Sequence, residues 1–245
     1  PTPIGGYALA AMRNMHDFGT TSEQLAEVAV AARSWAALNP DATMQEPITI
    51  DDVLASPMIS DPLHLFDSCL VTDGGGAIVM TTAENARAMG VTPIYVRGFG
   101  EAHTHWTIAT MPNLSRLTAA ELSSDQAFRM AGISRDQIDL IEVYDSFTIT
   151  VLMTLEALGF CRAGESGSFV TGQRTAPGGE FPMNTNGGGL SYAHPGMYGI
   201  FLAIEAVRQL RGEAGLRQVS NANVALVHGT GGTLSSGATC ILSRS

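Results

Sequence analysis

Three short segments of this sequence set polar side chains beside glycines or at the ends of apolar runs, where acid–base chemistry on a bound ligand is feasible. The first is Glu142-Val143-Tyr144-Asp145-Ser146-Phe147, between a buried apolar run and a helical pattern. Side chains at such a junction project from the carboxyl edge of a sheet, where α/β proteins place ligands. The alternative is that Asp145 or Ser146 simply caps the following helix. The second segment runs from Asn186 through Gly187-Gly188-Gly189-Leu190-Ser191-Tyr192-Ala193 to His194-Pro195-Gly196-Met197. Gly188 and Gly189 let backbone approach a ligand closely. Pro195 suits the first position of a helix, which leaves His194 at its amino end. The helix dipole there disfavours imidazolium and keeps the ring neutral, ready to act as a base or donor. A histidine satisfied as a cap in a tight loop is the plainer reading. The third segment is His228-Gly229-Thr230-Gly231-Gly232, directly after Val224–Val227. Its amides, near Gly231, can form an oxyanion hole, and an ordinary glycine-rich hairpin turn is the alternative.

Other polar clusters carry less. His103-Thr104-His105 resembles a pair of metal ligands, but only Glu101 lies near enough to extend the set, so no metal is expected. Asp73-Gly74-Gly75-Gly76 lacks the Lys-Ser/Thr of a phosphate loop. Cys69, Cys161 and Cys240 are odd in number, far apart and without a CxxC spacing, and read as buried filler.

The elements that position these segments follow from periodicity. Thr21 and Gln24 predict a capping box, and Leu25, Val28, Ala32 and Trp35 the apolar face of the helix it starts, stopped by Asn39-Pro40. A short helical turn is expected near Asp51–Leu54, and short buried strands over 68–71 and 77–80. A short helix over 83–89 ends at Gly90, and Ile94-Tyr95-Val96 starts a strand. Helices over 119–130, 147–158 and 195–210 alternate with strands over 138–143, 224–227 and 238–242. Strands alternating with helices predict an α/β sheet covered on both faces.

Composition narrows the class. The chain has 245 residues, 45% hydrophobic and 15% charged, with 27 glycines, which fits a soluble α/β enzyme. No apolar run approaches the roughly 20 residues of a membrane span. A net charge of -10 with 13 basic residues argues against nucleic acid as a partner. No signal-like leader precedes Pro1, so a cytoplasmic location is expected.

Glu142–Phe147 followed by Leu155-Glu156-Ala157-Leu158-Gly159 resembles the His-Asp-Cys-Phe region of thiolases of the sterol-carrier and lipid-transfer branch. Gly188-Gly189 through His194-Pro195 is similar to their Gly-His-Pro motif, and His228–Gly232 to their C-terminal glycine-rich loop. Tyr7-Ala8 and residues 19–29 resemble the cofactor-covering loop domain, and Asp73–Val79 the strand closing the N-terminal half. The resemblance implies a thiolase fold layered α-β-α-β-α. Residues 1–90 are the loop domain and the end of the N-terminal half, and 91–245 the C-terminal half.

It also implies an acyl-CoA thioester as substrate, a homodimer, and a role in lipid or sterol metabolism. On this resemblance the catalytic set is His194, His228, Tyr144, Tyr192 and Asp145, with Gly188, Gly189 and Gly231 lining the cofactor. There are departures from the pattern. Tyr144 and Ser146 replace the motif's His and Cys, Ala193 replaces the Gly before His194, and His228 stands where condensing thiolases carry a second Cys. The segment bearing the acyl-accepting Cys lies upstream of this sequence. A Tyr-Asp pair also resembles steroid side-chain aldolases, which use tyrosines for retro-aldol cleavage, work with a small zinc-ribbon and OB-fold partner protein, and generally lack the intact His-Pro that this chain keeps at His194-Pro195. Tyr144 with Tyr192 is the pair expected for that chemistry. The expected activity is thus thiolase-like acyl transfer, ahead of retro-aldol cleavage and of a non-catalytic lipid-binding subunit.

Overall fold

A capping box opens the helix that Leu25, Val28, Ala32 and Trp35 predict. In the computed structural model, which describes residues 3–245, α1 spans Pro3–Phe18 and α2 spans Ser22–Ala36. The Gln24 amide donates to Thr21 Oγ1 at 3.3 Å, and the Thr21 amide to Gln24 Oε1 at 3.1 Å. These bonds satisfy donors that a helix start otherwise leaves free. The short turn expected near Asp51 is α3 (Ile50–Ala55), followed by a ribbon of β1 (Met58–Ser60) and β2 (Leu63–His64). The helix expected before Gly90 is α4 (Ala83–Ala88).

The main sheet holds four strands, β3 (Tyr95–His103), β4 (Leu140–Val143), β5 (Val224–Gly231) and β6 (Ser236–Ser243). Their order is β3-β6-β5-β4, with β4 parallel to β5 and β6 antiparallel to both its neighbours. Helix α5 (Thr118–Ala131) follows β3, and α6 (Thr148–Leu158), α7 (Ser166–Val170) and α8 (Gly199–Arg211) lie between β4 and β5. Side chains alternate across a strand, so each strand feeds two cores. Ile141, Val143, Leu226 and Ile241 pack with α5 and α6, while Leu140, Ala225, Val227 and Leu242 pack with α8. Helices α1 and α2 lie against α6 and join the first core. Among the described residues no helix is long and apolar enough to cross a membrane.

Three expected elements differ. Residues 68–71 and 77–80 form no sheet strand, and Val71 is 98% and Val79 85% exposed. The amides of Cys69, Leu70 and Thr72 donate to the carbonyls of Ser146, Gly189 and His194, so the segment laces loops together instead of joining a ladder. The helix expected from Pro195 starts at Gly199. Residues 188–192 form a π-helical turn, Ala193 is extended, and Gly196 has φ +87, a left-handed conformation that breaks the helical path.

The closest helix–sheet approach sets a packing test. A Cβ on Gly100 would collide with the backbone carbonyl of Ser123, and one on Gly98 with that of Ala127, because α5 rests directly on β3. Gly100→Ala is expected to destabilise the protein by about 1–3 kcal/mol, the range for overpacking. Denaturant unfolding measures it, and an unchanged midpoint would contradict this packing.

Candidate active site

The site forms where β4 hands over to α6. The Tyr144 amide donates to His228 O at 2.9 Å, extending the β4–β5 pairing by one residue. Asp145 then turns inward and is fully buried. Its carboxylate accepts from the amides of Gly189 at 2.6 Å and Leu190 at 3.2 Å, fixing the glycine-rich turn against β4. Gly188 has φ +66, and a Cβ there would collide with the Asp145 carboxylate. The Gly188 amide donates to Asn186 Oδ1 at 2.8 Å. The amides of Gly188 and Gly189, expected to line the cofactor, are thus spent on the protein's own side chains. Burial pushes the Asp145 carboxyl up to about 7, against the lowering effect of its two amide donors.

The turn delivers His194 to Tyr144. Tyr144 OH and His194 Nε2 lie 2.7 Å apart. The His194 amide donates to Thr72 Oγ1 at 2.9 Å, which anchors the loop on its outer side. Tyr198 stacks on the imidazole with ring centroids 6.2 Å apart, and its hydroxyl donates to Asn186 Oδ1 at 2.9 Å. Burial lowers the His194 pKa below its ordinary 6.5, so the ring is neutral at pH 7. Desolvation, not a helix end, is the cause. Burial also pushes the Tyr144 phenol well above its ordinary range, with Tyr7, Cys69 and Asp145 adding to the effect. Held protonated, the phenol donates and Nε2 accepts.

The other expected residues are placed differently. His228 is fully buried, with Nδ1 2.8 Å from Thr239 Oγ1 and Nε2 3.4 Å from Thr230 Oγ1. Thr239 Oγ1 in turn meets Ser123 Oγ at 2.9 Å, so the ring belongs to a hydroxyl chain toward α5. Burial lowers its pKa to about 4. Tyr192 is not brought to His194: its ring packs edge-on to Phe201 at 5.9 Å, and its carbonyl accepts from Thr43. Gly231 lies at the end of the β5–β6 hairpin, where its carbonyl accepts from the Ser235 amide at 3.2 Å. His103 ends β3 in an exposed position, and His105 bonds Thr104 and the Thr233 carbonyl.

Sequence reasoning missed Tyr7, Thr72 and Tyr198 as members of the site and read Cys69 as filler. Tyr7 of α1 is 4% exposed and packs on Phe147 with centroids 4.5 Å apart. Its signal in the sequence is that of any apolar helix position. Tyr198 is four residues after His194, and that spacing was the available clue. The thiols of Cys69 and Cys161 are pushed to about 12 and that of Cys240 to about 11, all by burial.

Residues 100–244 match the thiolase C-terminal domain-like family. The acetyl-CoA acetyltransferase of Methanothermobacter thermautotrophicus is 38% identical over 239 residues, 97% of this chain and 62% of that protein. The steroid side-chain-cleaving aldolase of Thermomonospora curvata is 38% identical over 237 residues, 94% of this chain and 60% of the relative. A solved structure of the Ltp2-ChsH2(DUF35) aldolase superposes with a TM-score of 0.92 at 34% identity, covering 99% of this chain and 63% of that one. The chain therefore belongs to the thiolase superfamily and has its fold, in the branch that also holds sterol carrier protein 2. It spans about three fifths of the length of the relatives named here.

Behind the site, two carboxyl groups share one cation. Arg217 donates from Nε to Glu205 Oε1 at 2.9 Å and from Nη2 to Oε2 at 3.0 Å. Thr185 Oγ1 meets Glu205 at 2.9 Å and Glu142 at 2.8 Å. Glu142 is fully buried with no cation of its own, and desolvation followed by repulsion from Glu205 raises its pKa well above 4.5. A raised carboxyl pKa means that folding takes up a proton. The contribution is full below the unfolded value near 4.5 and declines as pH rises toward the folded pKa. Glu142→Gln mimics the neutral acid and is expected to flatten this decline. Urea unfolding from about pH 5 to 8 should show the wild type losing stability relative to the variant. Parallel curves would mean that Glu142 is ionised in the fold.

Proposed function

We propose that this chain carries the acid–base site of an enzyme that cleaves the Cα–Cβ bond of a β-hydroxyacyl-CoA by a retro-aldol step. The observation that carries the reading is the 2.7 Å contact between Tyr144 OH and His194 Nε2. A phenol with a raised pKa is no standing base, but next to a neutral imidazole it is a relay. Tyr144 accepts the β-hydroxyl proton as it passes its own to Nε2. The Cα–Cβ bond breaks, Cβ leaves as a carbonyl, and the electron pair moves into the thioester as an enolate. Protonation at Cα then completes the shortened acyl-CoA. The substrate is a coenzyme A thioester, and the chemistry needs no metal.

This places cleavage ahead of acyl transfer, the reverse of the order expected from sequence. Cleavage gives the Tyr144–His194 contact a chemical role, whereas thiolase-like acyl transfer rests on a thiolate nucleophile. Thiolase-like acyl transfer is the second reading, favoured by the 38% identity to an acetyl-CoA acetyltransferase. Its nucleophile would lie outside the described residues. The Ltp2-ChsH2(DUF35) structure supports a small partner protein for this chain too. We include homodimer formation in the proposal, with the exposed Val71, Val79 and Met80 as side chains that association would cover.

Two substitutions test the reading on the intact protein with any partner it needs. Tyr144→Phe and His194→Ala should each lower cleavage of a branched β-hydroxyacyl-CoA by about a hundredfold or more. His194→Ala should cost only about 1 kcal/mol of stability, the net worth of a hydrogen bond. Thiolysis of acetoacetyl-CoA that survives Tyr144→Phe, with no cleavage of the hydroxyacyl substrate, would establish the second reading instead.

A further inference from the structure

We infer that Tyr7, on α1, is a second catalytic residue of this site, the acid that protonates Cα of the thioester enolate after the carbon–carbon bond breaks. The inference rests on the retro-aldol reading and assigns a step which that reading leaves open. Tyr7 reaches the strand-to-helix junction from α1. Its ring is buried against Phe147, the residue after Ser146, with centroids 4.5 Å apart and planes at 37°. Its hydroxyl donates toward Gly232 O at 3.4 Å, in the β5–β6 turn, and is also hydrogen-bonded to the Ser146 side chain. Ser146 Oγ continues to Thr150 Oγ1 at 3.0 Å. Cys69 lies beside the same hydroxyl, its amide bonded to Ser146 O at 3.0 Å.

The two phenols share a site but not an environment. Cys69 adds to the raised pKa of each, and Tyr7 adds to that of Tyr144. Tyr144 faces an imidazole and therefore has somewhere to send a proton. Tyr7 faces a carbonyl and a hydroxyl, neither of them a base at neutral pH, and burial raises its pKa, so it stays protonated. Paired titratable groups whose surroundings differ in this way divide into base and acid.

The step balances. The β-hydroxyl proton passes to Tyr144 and the Tyr144 proton to His194, while the Cα–Cβ electron pair enters the thioester. The Tyr7 O–H bond then breaks as the Cα–H bond forms. Imidazolium at His194 releases its proton to solvent, the Tyr7 phenolate takes one back, and no proton is consumed overall.

Tyr7→Phe tests the assignment, because it keeps the ring on Phe147 and removes only the hydroxyl. The intact protein, with any partner it needs, is assayed on a branched β-hydroxyacyl-CoA beside Tyr144→Phe. The expected result is a fall in kcat of about a hundredfold with KM within about threefold, the signature of a lost proton donor. Activity close to wild type in Tyr7→Phe, with Tyr144→Phe inactive, overturns the role of Tyr7 and leaves the retro-aldol reading standing. Activity retained by both variants, or no cleavage by the unmodified protein, removes that reading and this inference with it. If Tyr7→Phe lowers the melting temperature, fluorotyrosines of graded acidity are placed at position 7. A kcat that tracks phenol acidity at fixed pH supports proton donation, and a flat response overturns it.

Discussion

Everything at this site hangs on a carboxylate bound to the protein's own backbone. Asp145 is buried at the end of β4 and spends both oxygens on the amides of Gly189 and Leu190. An acid in that position loses its hydration, and two directed N–H donors are what offset the loss. The reward is positional. A strand end and a glycine-rich turn, far apart in sequence, are joined with only van der Waals clearance, and Gly188 has to lack a Cβ for the join to close. The phenol before Asp145 and the imidazole after the turn then meet at hydrogen-bonding distance. Asp145 therefore fixes where its neighbours stand, through bonds to the amides of the turn.

The same economy appears in the lacing segment. Cys69, Leu70 and Thr72 bond the Ser146 carbonyl, the Gly189 carbonyl and both backbone groups of His194, so three residues within a span of four touch all three parts of the site. The Val71 side chain is free to face outward because the backbone of its neighbours holds the segment in place. Glu142 and Glu205 brace the opposite side, where a single guanidinium and a threonine hydroxyl hold two carboxyl groups together and the Glu142 pKa is raised.

Local signals carried much of this structure. The Thr21–Gln24 box, the glycine stops at Gly90 and Gly159, the strand-to-helix junction at Tyr144 and the β5–β6 hairpin all follow from residue type and period. The Tyr144–His194 meeting was anticipated only as membership of one site, since its contact depends on a long-range join. Other features stayed hidden for physical reasons. Residues 68–80 have strand-like apolar runs, but propensity says nothing about which acceptors their amides find. Tyr192 and Tyr198 are both near His194 in sequence, and the π-helical turn and Gly196 decide which of them stacks on the imidazole. Tyr7 is indistinguishable in sequence from a core residue of an amphipathic helix, because its ring is one.

The wide turn at residues 188–192 has a consequence for how the protein breathes. Its carbonyls point outward on two sides: Gly189 O accepts from Leu70, while Ser191 O and Tyr192 O accept from Met44 and Thr43. Opening this loop therefore requires two unrelated stretches of chain to let go together, in addition to the carboxylate beneath it. Cooperative units of local unfolding are drawn by such shared bonds. Amides around residues 43–44, 69–72 and 188–194 are thus expected to open as one block, so that fluctuations of His194 are shared with distant surface backbone.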